Sequence, residues 1–209
     1  MFPYLERLEI GYCDSFECFP VDDSLPTSLT FLLIWLTRLK KLDVIWLRSL
    51  ANLEELVIDN CLLLESLGYS SDVDGCSSGD EFPFNSSLRE LVVWSCVNLK
   101  TINGAWLRSF TSLRELKIRN WSEFLALPEE GLPHSLTRLD LVGFKNIRRQ
   151  DWIAIQNLTS LEELNINYCR ELKALPVKLP CSLKELKLLG NHPDLKKHAK
   201  WTLVQTGLT

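Results

Sequence analysis

The sequence predicts an α/β solenoid built from short parallel strands. The first observation is a spacing. In Leu161–Pro176 the apolar residues are 3, 2, 3, 3 and 3 positions apart, which fits neither an amphipathic helix nor an alternating strand. The second is recurrence, because this pattern is found eight times in the 209 residues. The third is that one such unit cannot bury its own leucines and therefore needs neighbours on both sides.

Each unit begins at a leucine, numbered here as position 0, and carries further apolar residues at positions 3 and 5. Successive first leucines are 24, 24, 35, 25, 23, 25 and 22 residues apart, a period typical of leucine-rich repeats. We expect a right-handed horseshoe with about eight short parallel strands on its concave face, and loops with short helical or 3-10 turns on its convex face. The first leucines are Leu5, Leu29, Leu53, Leu88, Leu113, Leu136, Leu161 and Leu183.

The segments that lead into the units alternate between two types. Short ones contain proline, as in LPHSL at 132–136, and proline favours extended backbone. Long ones contain tryptophan, as in WLRSFTSL at 106–113, and should form a helical or 3-10 turn. We expect Trp46, Trp106 and Trp152 to fill the core rather than contact a ligand, because they recur with the repeat.

The longest gap between units holds one insertion. Gly68–Asp80 reads GYSSDVDGCSSGD, too polar to bury apolar surface. We therefore predict an acidic loop insertion over 68–81. A calcium site there is disfavoured, because the ligand spacing of a helix–loop–helix calcium loop is absent.

The chain divides into a leucine-rich-repeat domain over 1–190 and a C-terminal capping segment over 191–209. It begins inside a repeat, at FPYLERLEI, and an uncapped solenoid end exposes its core. We therefore expect further chain or a partner to precede Met1.

Composition and motifs argue against several classes of function. The net charge of −4 gives no attraction to nucleic acid, and no apolar run is long enough for a membrane span. Seven cysteines without a secretion signal favour reduced thiols and a cytoplasmic or nuclear location. The scattered histidines and the lack of a phosphate-binding glycine motif predict a chain that is not an enzyme and has no cofactor and no metal.

Position 8 of the unit holds cysteine in four of the eight units. In leucine-rich repeats this position takes asparagine or cysteine, whose side chain contacts the backbone of the adjacent turn. We expect that structural role, rather than a metal site, because no Cys-x-x-Cys occurs. The four residues are Cys13, Cys61, Cys96 and Cys169, and Trp121, Phe144 and Asn191 occupy the position elsewhere.

Side chains alternate along a strand, so positions 2, 4 and 6 should point away from the core and line the concave face. Glutamates recur at position 2, and we interpret them as a solvated stripe partly balanced by Arg89, Arg114 and Lys184. An apolar cluster with two tryptophans gathers on units two to four, which is typical of a binding hot spot. The alternative is that the acidic insertion or an upstream domain covers it. The candidate partner-binding residues are Phe31, Leu33, Trp35, Val57, Val92, Trp94, Lys117 and Arg119.

Several segments carry a family resemblance. The pattern WL-x-S-[LF]-x-[SN]-L-x-E-L-x-I-x-[ND]-[CW], with LPEEGLPHSL at 127–136, resembles the leucine-rich-repeat region of plant coiled-coil nucleotide-binding disease-resistance proteins (NLR proteins). The ending LLGNHPDLKKHAKW at 188–201 is similar to the end of such proteins, with Asn191-His192-Pro193 in place of a cysteine-proline-leucine pattern.

This resemblance implies a function in plant defence. Members of the family are intracellular immune receptors, and their repeats recognise other proteins and restrain a nucleotide-binding switch. The implied partner is a pathogen effector, a host guardee, or the receptor's own nucleotide-binding domain. Neither the coiled coil nor that switch is contained in this sequence.

Two other repeat classes are alternatives. The substrate-recognition domain of an F-box type ubiquitin-ligase adaptor also uses cysteine, but neither its recurring Ile-Thr-Asp segment nor an F-box occurs here. A plant receptor ectodomain would carry a repeated L-x-G-x-I-P segment and a signal peptide, and both are absent from the sequence.

Overall fold

The repeated leucines build a sheet of eight parallel strands, as the sequence predicts. The computed structural model describes residues 2–13, 25–35, 38–42, 47, 49–68, 87–120, 127–128, 131–145, 147–191 and 193–195. This main sheet comprises β1 (Arg7–Gly11), β2 (Phe31–Trp35), β4 (Glu55–Asp59), β6 (Glu90–Trp94), β8 (Glu115–Arg119), β9 (Arg138–Val142), β10 (Glu163–Asn167) and β11 (Glu185–Lys187), in that order.

Equal positions of neighbouring units lie side by side in the main sheet. Leu8 is paired with Leu32, and Leu32 is paired with Leu56. The same register continues to β11, where Leu164 is paired with Leu186. Each position therefore forms a row across the sheet, with neighbouring strands about 4.8 Å apart.

The rows at positions 0, 3 and 5 form the core. From the second unit to the seventh, the position-3 leucines are all 0 % exposed. In the first and last units the equivalent leucines, Leu8 and Leu186, are only partly buried. The difference follows from the architecture, because a terminal unit has a neighbour on one side only.

The tryptophan-containing segments form the two described helices, as expected. They are α1 (Gly104–Ser109) and α2 (Arg149–Gln156). Trp106 is 0 % exposed and Trp152 is 7 % exposed, so both fill the core. Trp46 lies outside the described residues.

Side chains that were not singled out in the sequence begin both helices. Asn103 Oδ1 accepts a hydrogen bond from the backbone N–H of Trp106 at 2.8 Å. The buried Asp151 accepts from the N–H of Arg148 at 2.7 Å and from the N–H of Leu127 at 2.6 Å. Burial raises the pKa of Asp151. The hydrogen bonds from its two backbone donors lower the pKa, but they offset the effect of burial only in part. This carboxylate thus ties α2 to the segment at Leu127, which precedes β9 in the chain.

The described proline-containing segments form turns without a helix, and each ends in a serine that precedes the first leucine. This serine donates a hydrogen bond to the carbonyl oxygen of the first leucine of the preceding unit. The described pairs are Ser28 with Leu5 at 2.8 Å, Ser135 with Leu113 at 2.8 Å, and Ser182 with Leu161 at 2.7 Å.

Position 8 has the structural role predicted for it. The thiol sulfur of Cys61 lies 3.9 Å from the carbonyl oxygen of Ile34, and that of Cys96 lies 3.8 Å from the carbonyl oxygen of Ile58. A hydrogen bond with Cys61, together with burial, raises the pKa of Cys96, which keeps it a neutral thiol.

The contacts of the position-8 side chain differ in two further units. Asn191 donates to the carbonyl oxygen of Ile166 at 2.6 Å and accepts from the N–H of Cys169 at 2.7 Å. Cys13 is exposed, and its thiol donates a hydrogen bond to the carbonyl oxygen of Gly11 in its own unit at 3.2 Å. Trp121 is outside the described residues.

Position 7 has a positive φ in every unit where it is described, which the sequence analysis did not predict. Its backbone N–H donates to the position-6 carbonyl of the next unit, as Asn60 does to Trp94 at 2.9 Å. Asparagine and glycine tolerate this backbone better than tyrosine or serine. The residues are Tyr12, Asn60, Ser95, Asn120, Gly143, Tyr168 and Gly190.

A second sheet of three short strands was also missed. It consists of β3 (Lys41–Leu42), β5 (Ser66–Leu67) and β7 (Thr101–Ile102), which are parallel. Two residues per strand are too few to leave a periodic signal in the sequence.

Some predictions concern residues that the structure does not describe. Of the insertion at 68–81 only Gly68 is described. Of the capping segment at 191–209, Asn191 and residues 193–195 are described, and Leu195 is 1 % exposed. No described helix is long and apolar enough to cross a membrane.

Replacing Trp106 by alanine should lower the free energy of unfolding by about 3 kcal/mol, because it empties a fully buried site. The buried indole N–H has no hydrogen-bond partner in the described part of the chain, so its loss adds no further cost. Chemical denaturation monitored by circular dichroism measures the change.

The matched control is Trp94→Ala, since Trp94 is 46 % exposed and its loss should cost less than about 1 kcal/mol. Equal destabilisation by the two substitutions would contradict the assignment of Trp106 to the core.

Candidate partner-binding face

Positions 2, 4 and 6 of the strands form one face of the main sheet, called here the outward face. All eight candidate residues lie on it, on β2, β4, β6 and β8. Their side chains are half-buried, apart from Trp94, which is 46 % exposed. The structure thus places these residues together on one face of the sheet, and their role in binding stays a prediction.

Six of these residues form a continuous apolar patch: Phe31, Leu33, Trp35, Val57, Val92 and Trp94. Leu33 is paired with Val57, and Val57 with Val92, so position 4 is apolar across three adjacent strands. Aliphatic side chains in adjacent strands shield one another from water on this face. The patch therefore has a flat aliphatic centre with aromatic side chains around it.

The first unit covers one edge of the apolar patch. The guanidinium carbon of Arg7 lies 3.6 Å from the ring centroid of Phe31, a cation–π contact. The rings of Tyr12 and Trp35 are tilted, with centroids 4.7 Å apart. Trp35 is thus partly shielded, whereas Trp94 is the most exposed side chain of the patch.

Tyr12 is a residue of this face that the sequence analysis missed. It lies at position 7, just after β1, where a positive φ of 53° directs it toward the next unit. The signal available in the sequence was the recurrence of asparagine, glycine and serine at position 7.

The two basic candidates are already engaged in ion pairs. Lys117 Nζ lies 2.5 Å from Glu90 and 2.8 Å from Glu115, and Arg119 lies 2.7 Å from Asp140. Burial alone would lower the pKa of Lys117, but the two carboxylates outweigh it and the pKa is raised. Lys117 and Arg119 form the boundary of the apolar patch.

Beyond that boundary the outward face is a network of charged and amide side chains. Glu163 lies at its centre, 2.6 Å from both Arg138 and Lys187. Burial would raise the pKa of Glu163, but hydrogen bonds from Arg138, Lys187 and Asn165 lower it to about 2. The carboxylate is therefore held ionised by its partners across the strands.

This network corrects one expectation. Arg89, Arg114 and Lys184 were expected to balance the glutamates of position 2. Among the described residues, the cations paired with those glutamates are instead Lys117, Arg138 and Lys187, and Lys184 pairs with Glu162. The reason is geometric, because consecutive residues point to opposite sides of a strand.

The network surrounds an open depression of about 430 Å³, which is lined by Arg119, Arg138, Asp140, Asn165 and Lys187 among others. The cations that line it are already paired with carboxylates of the outward face. Among the described residues, no group of three His, Cys, Asp or Glu side chains could hold a metal ion. This half of the face is therefore best understood as a rigid, internally neutralised frame.

Two carboxylates within the apolar patch differ from those of the network. Glu55 and Asp59 flank Val57 on β4, and the described residues provide neither with an ion-pair partner. Burial is the main cause that raises the pKa of each. The charge of Glu90 raises the pKa of Glu55 further, whereas the charges of Lys117 and Arg7 lower it.

Comparison with known proteins gives no family assignment: neither a scan against protein-family models nor a search of curated proteins finds a match to this chain.

Replacing Glu163 by glutamine should lower the free energy of unfolding at pH 7 by up to about 3 kcal/mol. A carboxylate whose pKa falls on folding from 4.5 to about 2 stabilises the folded chain above the unfolded value. That contribution is lost as the pH falls from about 5 toward 2. The difference between wild type and Glu163→Gln should therefore narrow over that range in denaturation experiments.

The control is Glu171→Gln, because Glu171 is 53 % exposed and pairs with Lys145 at 3.8 Å. It should change stability by less than about 1 kcal/mol. If the free energies of unfolding of wild type and Glu163→Gln differed by the same amount from pH 7 to about pH 2, the pairing of Glu163 with Arg138 and Lys187 would be ruled out.

Proposed function

We propose that this chain is a non-catalytic protein-recognition domain of an intracellular plant immune receptor, and that the apolar patch contacts the partner. The observation that carries the proposal is Trp94, which is 46 % exposed at the edge of an aliphatic row. Exposed tryptophans beside an apolar centre are enriched among the residues that dominate protein interfaces.

The position of the patch within the main sheet also suits recognition. Its residues lie on β2, β4 and β6, which are adjacent in the main sheet and flanked by further strands on both sides. Residues on a rigid sheet lose little conformational freedom when a partner binds, so more of the contact energy contributes to affinity. The ion-paired network on β8–β11 extends this rigid frame.

The receptor assignment rests on the resemblance to plant NLR proteins. In that setting the partner is a pathogen effector, a host guardee or the receptor's own nucleotide-binding domain, in the cytoplasm or nucleus. The repeats would restrain the switch by binding it in the resting state, and a competing effector would release it by mass action.

Sequencing the full-length transcript tests the assignment to this class of receptor. A nucleotide-binding module in frame with the repeats is the expected result. An F-box in that place would instead support the ubiquitin-ligase adaptor. A transcript that encodes neither of the two modules would contradict the receptor assignment.

Replacing Trp35 and Trp94 together by alanine should abolish binding of the nucleotide-binding module of the same gene. The double variant removes both aromatic side chains at position 6 of the patch, and such truncations commonly weaken binding by 2 kcal/mol or more, about 30-fold. Calorimetry with the separately expressed module measures affinity, and circular dichroism verifies the fold.

Two variants make this test specific. Trp94→Ala alone should cause most of the loss of affinity seen in the double variant, because Trp35 is partly covered by Tyr12. Leu189→Ala is the control, since Leu189 is 60 % exposed and follows β11, four strands away from β6. Binding that is unchanged in the double variant, or equally weakened by Leu189→Ala, would refute the patch as the contact surface.

A further inference from the structure

The outward-facing charges on the three strands of the apolar patch are all carboxylates, whereas Arg7, Lys117 and Arg119 lie at its edges. The outward-facing residues of β2, β4 and β6 include three carboxylates, Glu55, Asp59 and Glu90, and no cation. Glu90 is neutralised by Lys117. Glu55 and Asp59 form no ion pair among the residues that the structure describes, although Lys117 and Arg7 lower the pKa of Glu55 through space, so the three strands of the patch carry net negative charge.

These two carboxylates lie beside aromatic side chains. Asp59 is paired in register with Trp94, and Glu55 is paired with Phe31. Each carboxylate is thus about one strand spacing, roughly 4.8 Å, from an aromatic residue. A cationic side chain placed between them would contact a negative charge and a ring together, and both contacts favour it.

The same face already contains one example of this arrangement within the chain. Arg7 lies over the ring of Phe31 and forms an ion pair with Glu9 at 2.8 Å. Trp94 has an arginine as its other neighbour in register, but that residue, Arg119, is paired with Asp140. In the described part of the chain, therefore, the ring of Trp94 has no cation over it.

We infer that the apolar patch binds a basic segment of the partner protein, with an arginine or lysine seated between Trp94 and Asp59 and a second cation near Glu55. The aliphatic row of Leu33, Val57 and Val92 then receives apolar side chains that alternate with the cations. This inference rests on the proposed function and specifies the chemistry of the partner that the patch selects.

The cost of leaving the two carboxylates unpaired supports the inference. Both are half-buried among apolar side chains, and desolvation is the main cause that raises their pKa values. A cation supplied by the partner would reverse that effect. An acidic partner would add repulsion to desolvation, so the patch discriminates by charge as well as by shape.

Selection from a random peptide library displayed on phage tests the inference and does not require an identified partner. The full chain is the target, and Trp94→Ala is used for counter-selection, so that only Trp94-dependent peptides are retained. These peptides should carry a net positive charge and alternate arginine or lysine with apolar residues. Neutral or acidic peptides, or no Trp94-dependent peptides, would overturn the inference.

The selected peptide with the highest affinity then gives the quantitative test. Glu55→Gln with Asp59→Asn should weaken its binding at least about tenfold, as expected for loss of close charge pairs. Glu171→Gln with Glu185→Gln removes the same charge from exposed sites elsewhere and should leave binding within about twofold. Equal effects of the two double variants would contradict a local role for Glu55 and Asp59.

The same variants separate this inference from the proposed function when the nucleotide-binding module is the ligand. If Trp94→Ala weakens its binding and Glu55→Gln with Asp59→Asn does not, the contact surface stands and the basic-partner inference fails. If neither variant changes binding, both fail. If both variants weaken binding, the carboxylate variant at least about tenfold, both are supported.

Discussion

Burial of each unit's leucines by the next unit is the constraint on which this structure depends. A single unit contributes one side chain at each of positions 0, 3 and 5, and it has no further apolar surface to cover them. The leucines at position 3 are fully buried in the inner units and partly exposed in the terminal ones. Stability is therefore distributed along the chain as contacts between neighbours, as in other repeat proteins.

The same constraint determines the surface. Because strand side chains alternate, the register that buries positions 3 and 5 exposes positions 2, 4 and 6. Core packing does not dictate which residues occupy those rows. The chain uses this freedom in two ways: a neutralised network around Glu163, and an apolar patch whose carboxylates, Glu55 and Asp59, form no ion pair in the described part of the chain. This difference between the two halves is the basis of the functional proposal.

Features with a fixed spacing could be predicted from the sequence. The parallel sheet, the buried Trp106 and Trp152, the position-8 contacts of Cys61 and Cys96, and the outward placement of Trp94 all follow from a period that assigns each residue one environment.

Features that depend on contacts between units could not be predicted from the sequence. The partners of Glu163 are Arg138 and Lys187, more than 20 residues away in each direction. Lys184, which was expected to balance the position-2 glutamate next to it, pairs with Glu162 instead. The contact of Tyr12 with Trp35 depends on a positive φ that tyrosine rarely adopts. The role of Asp151 could not be predicted from the sequence, because one of its two backbone donors, Leu127, lies 24 residues away.

Hydroxyl-radical footprinting of the free chain, with mass spectrometry of the oxidised tryptophans, tests the central claim most directly. An apolar patch that is open to solvent predicts rapid oxidation of Trp94, slower oxidation of Trp35 beneath Tyr12, and little oxidation of Trp106 and Trp152. Oxidation of Trp94 as slow as that of Trp106 would show that the patch is covered within the chain, and would contradict its role as a recognition surface.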